Sequence, residues 1–236
     1  MSELLLVHGS CHGAWCWDHL IPELAERGFR ARAIDLPGHG ADKTPLAEVT
    51  LDRYAEAILA ELDGPTVLVG HSAGGYAITA AAQKRPDLVA ALVYVCAYVP
   101  MPGESLAQMR RMAPSQPLME AVQVAPDRVS FTIDTAMAPE KFYHDVAPGL
   151  AAWATDRLGP QPITPQETAL ADTARAEALP RHYIRCTQDR TIPPDFQRTM
   201  TEGWRGGRVV DLPMSHSPFL ADPARLAKTM AEILTD

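Results

Sequence analysis

Positive charge is in short supply in this sequence. Of its 236 residues, 21 are lysine or arginine and 29 are aspartate or glutamate, which gives a formal net charge of −8. A chain with this excess of acidic groups repels a phosphate backbone, so we expect no nucleic-acid partner. The sequence also lacks a long apolar run, and its first residues lack the basic stretch of a signal peptide. We therefore expect a cytoplasmic protein with no membrane-spanning segment and no membrane partner.

The sequence also contains few cysteines, four in all. Cys11, Cys16, Cys96 and Cys186 lie in or beside apolar segments and are not paired at a metal-binding spacing. We expect reduced thiols and no bound metal. Because 47% of the residues are hydrophobic, a chain of this length can bury one substantial core. This composition favours one domain, with room for an inserted lobe.

Short strand-like runs alternate with helical patterns in two parts of the chain. Runs that are apolar throughout are typical of strands buried on both faces of a parallel sheet. The alternation predicts an α/β fold, with a mainly parallel sheet of about six strands flanked by helices, in a core of residues 1–100 and 180–236. The predicted strands are 4–7, 30–35, 66–69, 91–96, 181–187 and 208–212, and the predicted helices are 17–27, 51–62, 74–84, 193–204 and 223–234.

Residues 101–179 break this alternation. The segment is rich in proline and methionine, and only 139–146 and 150–157 have the pattern of short helices. It has no low-complexity run and no internal repeat, so it does not resemble a linker. We expect a cap, or lid, inserted over the carboxyl edge of the sheet.

One stretch carries a recognisable chemical motif. Residues 70–74 have the pattern Gly-x-Ser-x-Gly, with a predicted strand before them and a predicted helix after them. This is the context of a nucleophile elbow, a strained turn that exposes a serine hydroxyl, here that of Ser72. The motif also arises by chance, and an ordinary serine in a glycine loop is the alternative. A base, an acid and an oxyanion hole are needed to decide between the two.

The base and the acid can be sought in the fixed chain order of serine, acid and histidine. Two histidines follow the predicted cap, and His182 opens a strand, at the wrong end of a parallel sheet. His216 follows the last predicted strand and is the candidate base. Asp189 follows the preceding strand and could accept a hydrogen bond from its imidazole. Asp195 is a competing carboxylate, and helix capping is the alternative role for Asp189.

An oxyanion hole needs two N–H donors that point at one place. Ala73, directly after the serine, supplies one donor at a predicted helix N-terminus. Ser10, in the loop after the first strand, supplies the other, and its hydroxyl could also contact a bound carbonyl or alcohol. A simple tight turn is the alternative interpretation of this loop.

Several stretches together resemble a known family. Residues 8–15, 70–75 and 186–189, followed by 192–193 and 196–197, are similar to the plant methylesterase and hydroxynitrile lyase branch of the α/β-hydrolase superfamily. The resemblance covers the core between residues 4 and 216. It implies a cofactor-free enzyme that acts on small, rather apolar esters, with a catalytic triad and an oxyanion hole. The residues at the matching positions are Ser72, Asp189 and His216 for the triad, and Ser10 and Ala73 for the hole.

One position departs from the lyases of this branch. They resemble one another in having a lysine directly after the base histidine, where this chain has Ser217. Without that cation, cyanide release loses electrostatic support, and ester hydrolysis is the better interpretation. Two alternatives stay open: a lyase-type or other cofactor-free activity on the same triad, and a non-catalytic, receptor-like ligand-binding protein.

The substrate pocket is the least determined part of the sequence. Phe131, Phe142 and Trp153 in the predicted cap, and Phe219 after the base, are candidates for its wall. Each of the three cap aromatics could equally belong to the core of the cap. The only expected partner is a small-molecule ester, and the sequence leaves open its acyl and alcohol groups. The sequence also leaves the oligomeric state open, a homodimer included.

Overall fold

A computed structural model describes residues 3–204 and 206–235 of the chain. In the first part, strands and helices alternate as predicted. The helix predicted from residue 17 begins later, at Leu20, because Ala14–Trp17 form a separate 3-10 turn. The elements are β1 (Glu3–Val7), α1 (Leu20–Glu26), β2 (Arg30–Ile34), α2 (Leu51–Ala60), β3 (Thr66–His71), α3 (Gly74–Lys84) and β4 (Val89–Val95).

Residues 101–179, called the insert below, hold short helices and a small sheet that the sequence did not predict. Strands β5, β6 and β7 pair antiparallel in that order. The two predicted helices are present with shifted bounds. The elements are α4 (Leu106–Met112), β5 (Val122–Val124), β6 (Ser130–Ile133), α5 (Ala138–Phe142), α6 (Pro148–Thr155), β7 (Gln161–Pro162), α7 (Thr164–Glu167) and α8 (Ala174–Glu177). The division of the chain into a core and a cap domain stays a prediction.

After the insert the main sheet resumes. Its last elements are β8 (Arg181–Cys186), α9 (Pro194–Met200), β9 (Val209–Leu212), α10 (Pro218–Ala221) and α11 (Pro223–Thr235). The six strands of the main sheet have the order β2-β1-β3-β4-β8-β9, and every pair in it is parallel. This confirms the predicted α/β architecture.

Two apolar layers cover the sheet, one on each face. Successive side chains of a strand point to opposite faces, so Leu4 and Leu6 of β1 join one cluster and Leu5 and Val7 join the other. All four are fully buried, and burial of such a side chain stabilises the fold by about 1.5–3 kcal/mol. Helices α1 and α11 pack together on the first face, and α2 and α3 on the second.

The parallel sheet brings distant parts of the chain to one edge. Strands β1, β3, β8 and β9 end at residues 7, 71, 186 and 212, and their following loops lie on the same side. Ligand and catalytic sites of open α/β sheets lie outside the carboxyl ends of the strands. Every residue predicted to be catalytic follows one of these four ends. Within the described residues, no helix combines the length and the apolar character needed to cross a membrane.

Candidate active site

The turn at Ser72 has the strained geometry of a nucleophile elbow. Ser72 has φ +53°, in the left-handed region that costs a residue with a side chain about 1–3 kcal/mol. Both glycines of the motif are held in close contact. A Cβ on Gly70 would lie 2.8 Å from the carbonyl oxygen of Gly74, and one on Gly74 would lie 2.7 Å from that of His8. Only glycine fits at either position, so the surrounding structure holds the turn in place.

The predicted acid and base are directly bonded. His216 Nδ1 lies 2.7 Å from Asp189 Oδ2, and both side chains are excluded from solvent. Because a carboxylate only accepts, Nδ1 carries the proton, which leaves a lone pair on Nε2 of the neutral ring. The other oxygen, Oδ1, accepts from the backbone N–H groups of Thr191 at 2.6 Å and Ile192 at 3.0 Å. These bonds orient the carboxylate toward the imidazole.

A glutamine in the stretches that resemble the family, to which no role was assigned from the sequence, completes this arrangement. Gln197 is fully buried, and its Nε2 donates to Asp189 Oδ2 at 2.9 Å and to the carbonyl of Ile192 at 2.9 Å. Its Oε1 accepts from the backbone N–H of Cys186 at 3.0 Å. Gln197 therefore ties α9 to the end of β8 and fixes Asp189 from a second direction. The available signal was a glutamine beside Phe196 on the buried face of α9.

The serine and the base lie on adjoining segments. His71, the neighbour of Ser72, has its ring centroid 4.6 Å from that of His216, and His71 Nε2 donates to the His216 carbonyl at 2.8 Å. Among the described residues, neither Ser72 Oγ nor His216 Nε2 makes a hydrogen bond. Catalytic hydrogen bonds of unliganded sites are often long and shorten only in the complex with substrate.

The predicted oxyanion donors flank the serine. The loop after β1 packs on the elbow so closely that a Cβ on Gly9 would lie 2.7 Å from Ser72 Cβ. Within the described part of the chain, the backbone N–H groups of Ser10 and Ala73 donate to no protein acceptor. Ser10 Oγ already accepts from Gln166 Nε2 of the insert at 3.1 Å. Both N–H groups are therefore available to a ligand, while the Ser10 hydroxyl also anchors the insert.

Buried histidines surround the elbow and are neutral. Burial lowers the pKa of His12 to about 3 and lowers the pKa of His8 and His71 as well. His12 Nδ1 donates to the carbonyl of Ser10 at 2.8 Å, so its Nε2 accepts from the Tyr143 hydroxyl at 2.8 Å. Protonation of His12 would require the Tyr143 hydroxyl to turn and accept, so that its own proton would lose the ring nitrogen as a partner. The neutral ring thus holds the loop that carries Ser10.

These histidines predict a loss of stability in mild acid. An unfolded histidine takes up a proton near pH 6.5, whereas folded His12 resists protonation to about pH 3. Between these pH values the unfolded state binds more protons than the folded state. The contribution of the neutral histidine to stability is therefore fully present above pH 6.5, and the free energy of unfolding falls as the pH falls below that value. Each such histidine contributes a slope of about 1.4 kcal/mol per pH unit. Urea unfolding at pH 7, 6 and 5 measures it.

A matched pair of variants assigns that slope. His12→Gln is expected to reduce the dependence of the unfolding free energy on pH, because it removes one group that differs between the two states. His19→Gln, at an exposed histidine, is expected to leave the dependence as it is. A free energy of unfolding that is equal at pH 7 and pH 5 would contradict the neutral, buried histidines.

A cavity lies beside the elbow. Ser72 and Ser10 line it, together with Phe131, one of the four aromatics predicted for the pocket. The remaining wall comes mainly from the insert and from the end of β4. The structure therefore brings the serine, one oxyanion candidate and one predicted pocket aromatic to the same cavity.

The other three predicted pocket aromatics do not line this cavity. Phe142 stacks on the His216 ring with centroids 5.8 Å apart, and Phe219 packs 4.8 Å from the centroid of His71. Both are buried and shield the base from water. Trp153 packs 5.4 Å from Trp15, away from the cavity. Large apolar rings fill space within the core here, and aromatic character alone did not reveal which ring faces substrate.

The position after the base carries no cation. Ser217 is fully buried, and its Oγ has no hydrogen-bond partner among the described residues. The following turn, with Pro218 and Phe219, is buried and apolar, as expected for a wall behind the base. The structure thus offers no cation at this position to stabilise a departing anion such as cyanide.

One group of side chains near the base could approach a metal ion. The ligand atoms of His71, Cys96 and His216 lie within 4.8 Å of one another. However, His71 Nε2 and Cys96 Sγ both donate to the His216 carbonyl, and burial raises the pKa of the Cys96 thiol well above its ordinary value. A protonated thiol is a poor metal ligand. The chemistry of these donors does not fit a resident metal.

Comparison with known proteins places this site in a family. Residues 4–229 match the alpha/beta hydrolase family. A pyrethroid hydrolase of Sphingobium wenxiniae is 31% identical over 98% of this chain and 87% of the relative. Methylesterase 7 of Arabidopsis thaliana is 29% identical over 98% of this chain and 96% of the relative. A solved pyrethroid hydrolase from Sphingobium faniae has a TM-score of 0.86 at 31% identity, over 98% and 96% of the two chains.

These likenesses confirm the expected family and the expected ester-hydrolase activity. The relatives are esterases and hydrolases, and they include the methylesterases that residues 8–15 and 70–75 resemble. The chain is accordingly a carboxylic ester hydrolase with a small-molecule substrate. Its match extends from β1 into α11, so it includes Ser72, Asp189 and His216, the residues predicted to be catalytic. The chain belongs to the alpha/beta hydrolase family.

Proposed function

We propose that Ser72, His216 and Asp189 form a catalytic triad that hydrolyses small, rather apolar carboxylic esters through an acyl-enzyme. The buried hydrogen bond between His216 and Asp189, at the same sheet edge as the strained Ser72, carries this proposal. It fixes the imidazole as the tautomer whose Nε2 can accept a proton. A serine with no such base would be a weak nucleophile.

The acylation step follows from this arrangement. His216 Nε2 takes the proton of Ser72 Oγ as the oxygen attacks the ester carbonyl, and Asp189 stabilises the imidazolium that forms. The carbonyl oxygen becomes an oxyanion, which the N–H groups of Ser10 and Ala73 bind. One such donor typically contributes about 10²–10³-fold to kcat. His216 then gives its proton to the departing alcohol oxygen, and the acyl group stays on Ser72.

Deacylation repeats these steps with water in place of the Ser72 hydroxyl. His216 removes a proton from a water molecule, the resulting oxygen attacks the acyl carbonyl, and the same oxyanion hole binds the second intermediate. Return of the proton to Ser72 Oγ releases the carboxylic acid and restores the enzyme. No step needs a cofactor.

The insert serves as a cap over the site in this proposal. Gln166 of α7 donates to Ser10 Oγ, so the insert contacts the oxyanion loop directly. Phe131 of β6 supplies an apolar part of the cavity wall.

An activity screen tests the proposal. We expect hydrolysis of aryl, methyl and lactone esters, including methyl esters and pyrethroids that the names of the relatives suggest, and covalent labelling of Ser72 by a fluorophosphonate. Cyanide release from mandelonitrile is expected to be absent because Ser217 provides no cation. A protein that turned over no ester, took up no fluorophosphonate and bound a small ligand tightly would instead be receptor-like.

A further inference from the structure

The wall of the cavity beside Ser72 contains one charged side chain among the described residues, that of Arg110 in α4. The other groups that line the cavity in the described residues, Ser72 and Ser10 among them, are neutral. Arg110 is half-buried, and its Nε is fully buried without a hydrogen-bond partner. Within the described chain, its guanidinium forms no ion pair and donates no hydrogen bond.

This arrangement leaves the buried Nε of Arg110 without a protein acceptor, which a bound anion could supply. A buried donor without a partner destabilises a protein, and more so when it is charged. Arginine cannot lose its charge in response. Arg110 also lies on the face of α4 that carries buried Leu106, one turn earlier, rather than on the exposed face. An apolar residue would fit this face better if the position served only packing.

The approach to the cavity is also cationic. A second cavity adjoins the first and shares Arg110, Phe131 and Gln166 with it. Its wall adds two further arginines, Arg111 and Arg128, and one acid, Glu167. Three guanidinium groups against one carboxylate form a local excess of positive charge in a chain whose formal net charge is −8. Such a cluster attracts anions locally against the field of the whole protein.

Tyr98 adds a neutral donor at the same place. It lies three residues after the end of β4, lines the cavity with Arg110, and its hydroxyl makes no hydrogen bond among the described residues. A planar guanidinium next to a free phenol suits a carboxylate, because the guanidinium can donate two parallel hydrogen bonds to its two oxygens.

We propose that Arg110 binds a free carboxylate on the substrate, so that the preferred substrates are esters that also carry a carboxylate, such as half-esters of dicarboxylic acids. This inference rests on the proposed esterase function and narrows its substrate class, from small and rather apolar esters in general to those whose apolar chain ends in a carboxylate. The ester carbonyl lies at Ser72, and the carboxylate, at the other end of the acyl chain, lies at Arg110. The apolar wall between them contacts the methylene groups.

The test compares two substrates that differ in charge alone. One is the mono-4-nitrophenyl ester of adipic acid, and the other is its analogue in which the free carboxyl group is a primary amide. Spontaneous hydrolysis is subtracted with Ser72→Ala protein. The wild type is expected to favour the acid, and Arg110→Gln to lower the ratio of the two kcat/KM values about 10–100-fold, mainly through KM.

Two further variants separate charge from position. Arg110→Lys retains the charge without the planar pair of donors and is expected to lie between the wild type and Arg110→Gln. Arg111→Gln removes a charge from the next residue, which lines only the second cavity. We expect this variant to change the ratio of the two kcat/KM values no more than about 3-fold, because an exposed charge is screened. Equal losses in Arg110→Gln and Arg111→Gln would point to general attraction and overturn a specific site.

Binding without turnover gives an independent measurement. Monomethyl adipate is titrated into Ser72→Ala and into the double variant that adds Arg110→Gln, with circular dichroism to check that both are folded. Binding that weakens at least 10-fold in the double variant supports the proposal. An unchanged affinity, or a wild type that prefers the amide, overturns it. Wild-type protein that hydrolyses neither ester would instead refute the esterase function.

Discussion

The Ser72→Ala variant is expected to lose at least about 10⁴-fold in kcat on 4-nitrophenyl acetate while the fold stays intact. The oxygen that forms the acyl-enzyme is removed, and neither His216 nor the oxyanion donors can replace it. The residual rate then comes from binding and the hole alone. The fold is expected to survive because alanine leaves the packing of the elbow unchanged and Ser72 Oγ makes no hydrogen bond among the described residues.

Ser217→Ala is the matched control for that experiment. It also removes a buried hydroxyl close to the base, but that hydroxyl has no partner among the described residues. Loss of an unpartnered buried donor is nearly neutral, so activity within a few-fold of the wild type is expected. If Ser72→Ala retained more than about one per cent of the wild-type rate, the assignment of the nucleophile would fail.

The Asp189→Asn variant is expected to lower kcat about 10⁴-fold. Asp189 accepts four hydrogen bonds: from His216 Nδ1, Gln197 Nε2 and the backbone of Thr191 and Ile192. An asparagine has one oxygen and one NH₂ group, so it cannot accept at both sites. If the oxygen stays on the two backbone donors, the NH₂ group faces His216. The imidazole must then carry its proton on Nε2, the atom that should take the proton of Ser72.

The pH–rate profile separates this mechanism from simple unfolding. If the imidazole of His216 adopts the wrong tautomer, kcat falls at every pH of the profile. Ser72 still reacts slowly with a fluorophosphonate, and the unfolding transition remains cooperative. Gln197→Ala removes one of the four donors to Asp189 and serves as the graded comparison. Its loss is expected to be much smaller, because the bond from His216 remains. Equal kcat in Asp189→Asn and the wild type would exclude Asp189 as the acid.

The sheet could be predicted because its strands are buried in a way that sequence reveals. Strand β3 is buried along its whole length, and its continuous apolar run from Thr66 is distinct from helical periodicity. The edge strand β2 is partly exposed and alternates from Arg30 instead. Ser72, Asp189 and His216 could be found because each follows a strand at the carboxyl edge. The order of the strands and the motif thus constrain the same three residues.

The insert resisted prediction for physical reasons. Its three strands have three, four and two residues, and the shortest contains Pro162. No periodicity can be measured over such lengths, and pairing across the segment, not local preference, makes them strands. Phe131 therefore gave no sign of which way it points. The positions of Phe142 and Phe219 beside the base could not be predicted for the same reason, because they depend on long-range packing.

The roles of Gln197 and Arg110 could not be predicted from the sequence for a different reason. Each is a polar side chain on a helix face whose other members are buried, which is a weak but real signal. In a sequence, the same residue on an exposed face has the same appearance. Only the structure shows that Gln197 donates to Asp189 and that Arg110 borders the cavity of Ser72.

The position of the insert in the chain has a consequence for synthesis. Strands β4 and β8 are neighbours in the sheet, yet residues 96–180 separate them. A ribosome that adds about 5–20 residues per second therefore leaves the edge of β4 unpaired for several seconds. Ser72 emerges long before Asp189 and His216, so the growing polypeptide carries its nucleophile without a base. The unfinished chain cannot cleave an ester, and its open strand edge is the place where misassembly with another nascent chain would begin.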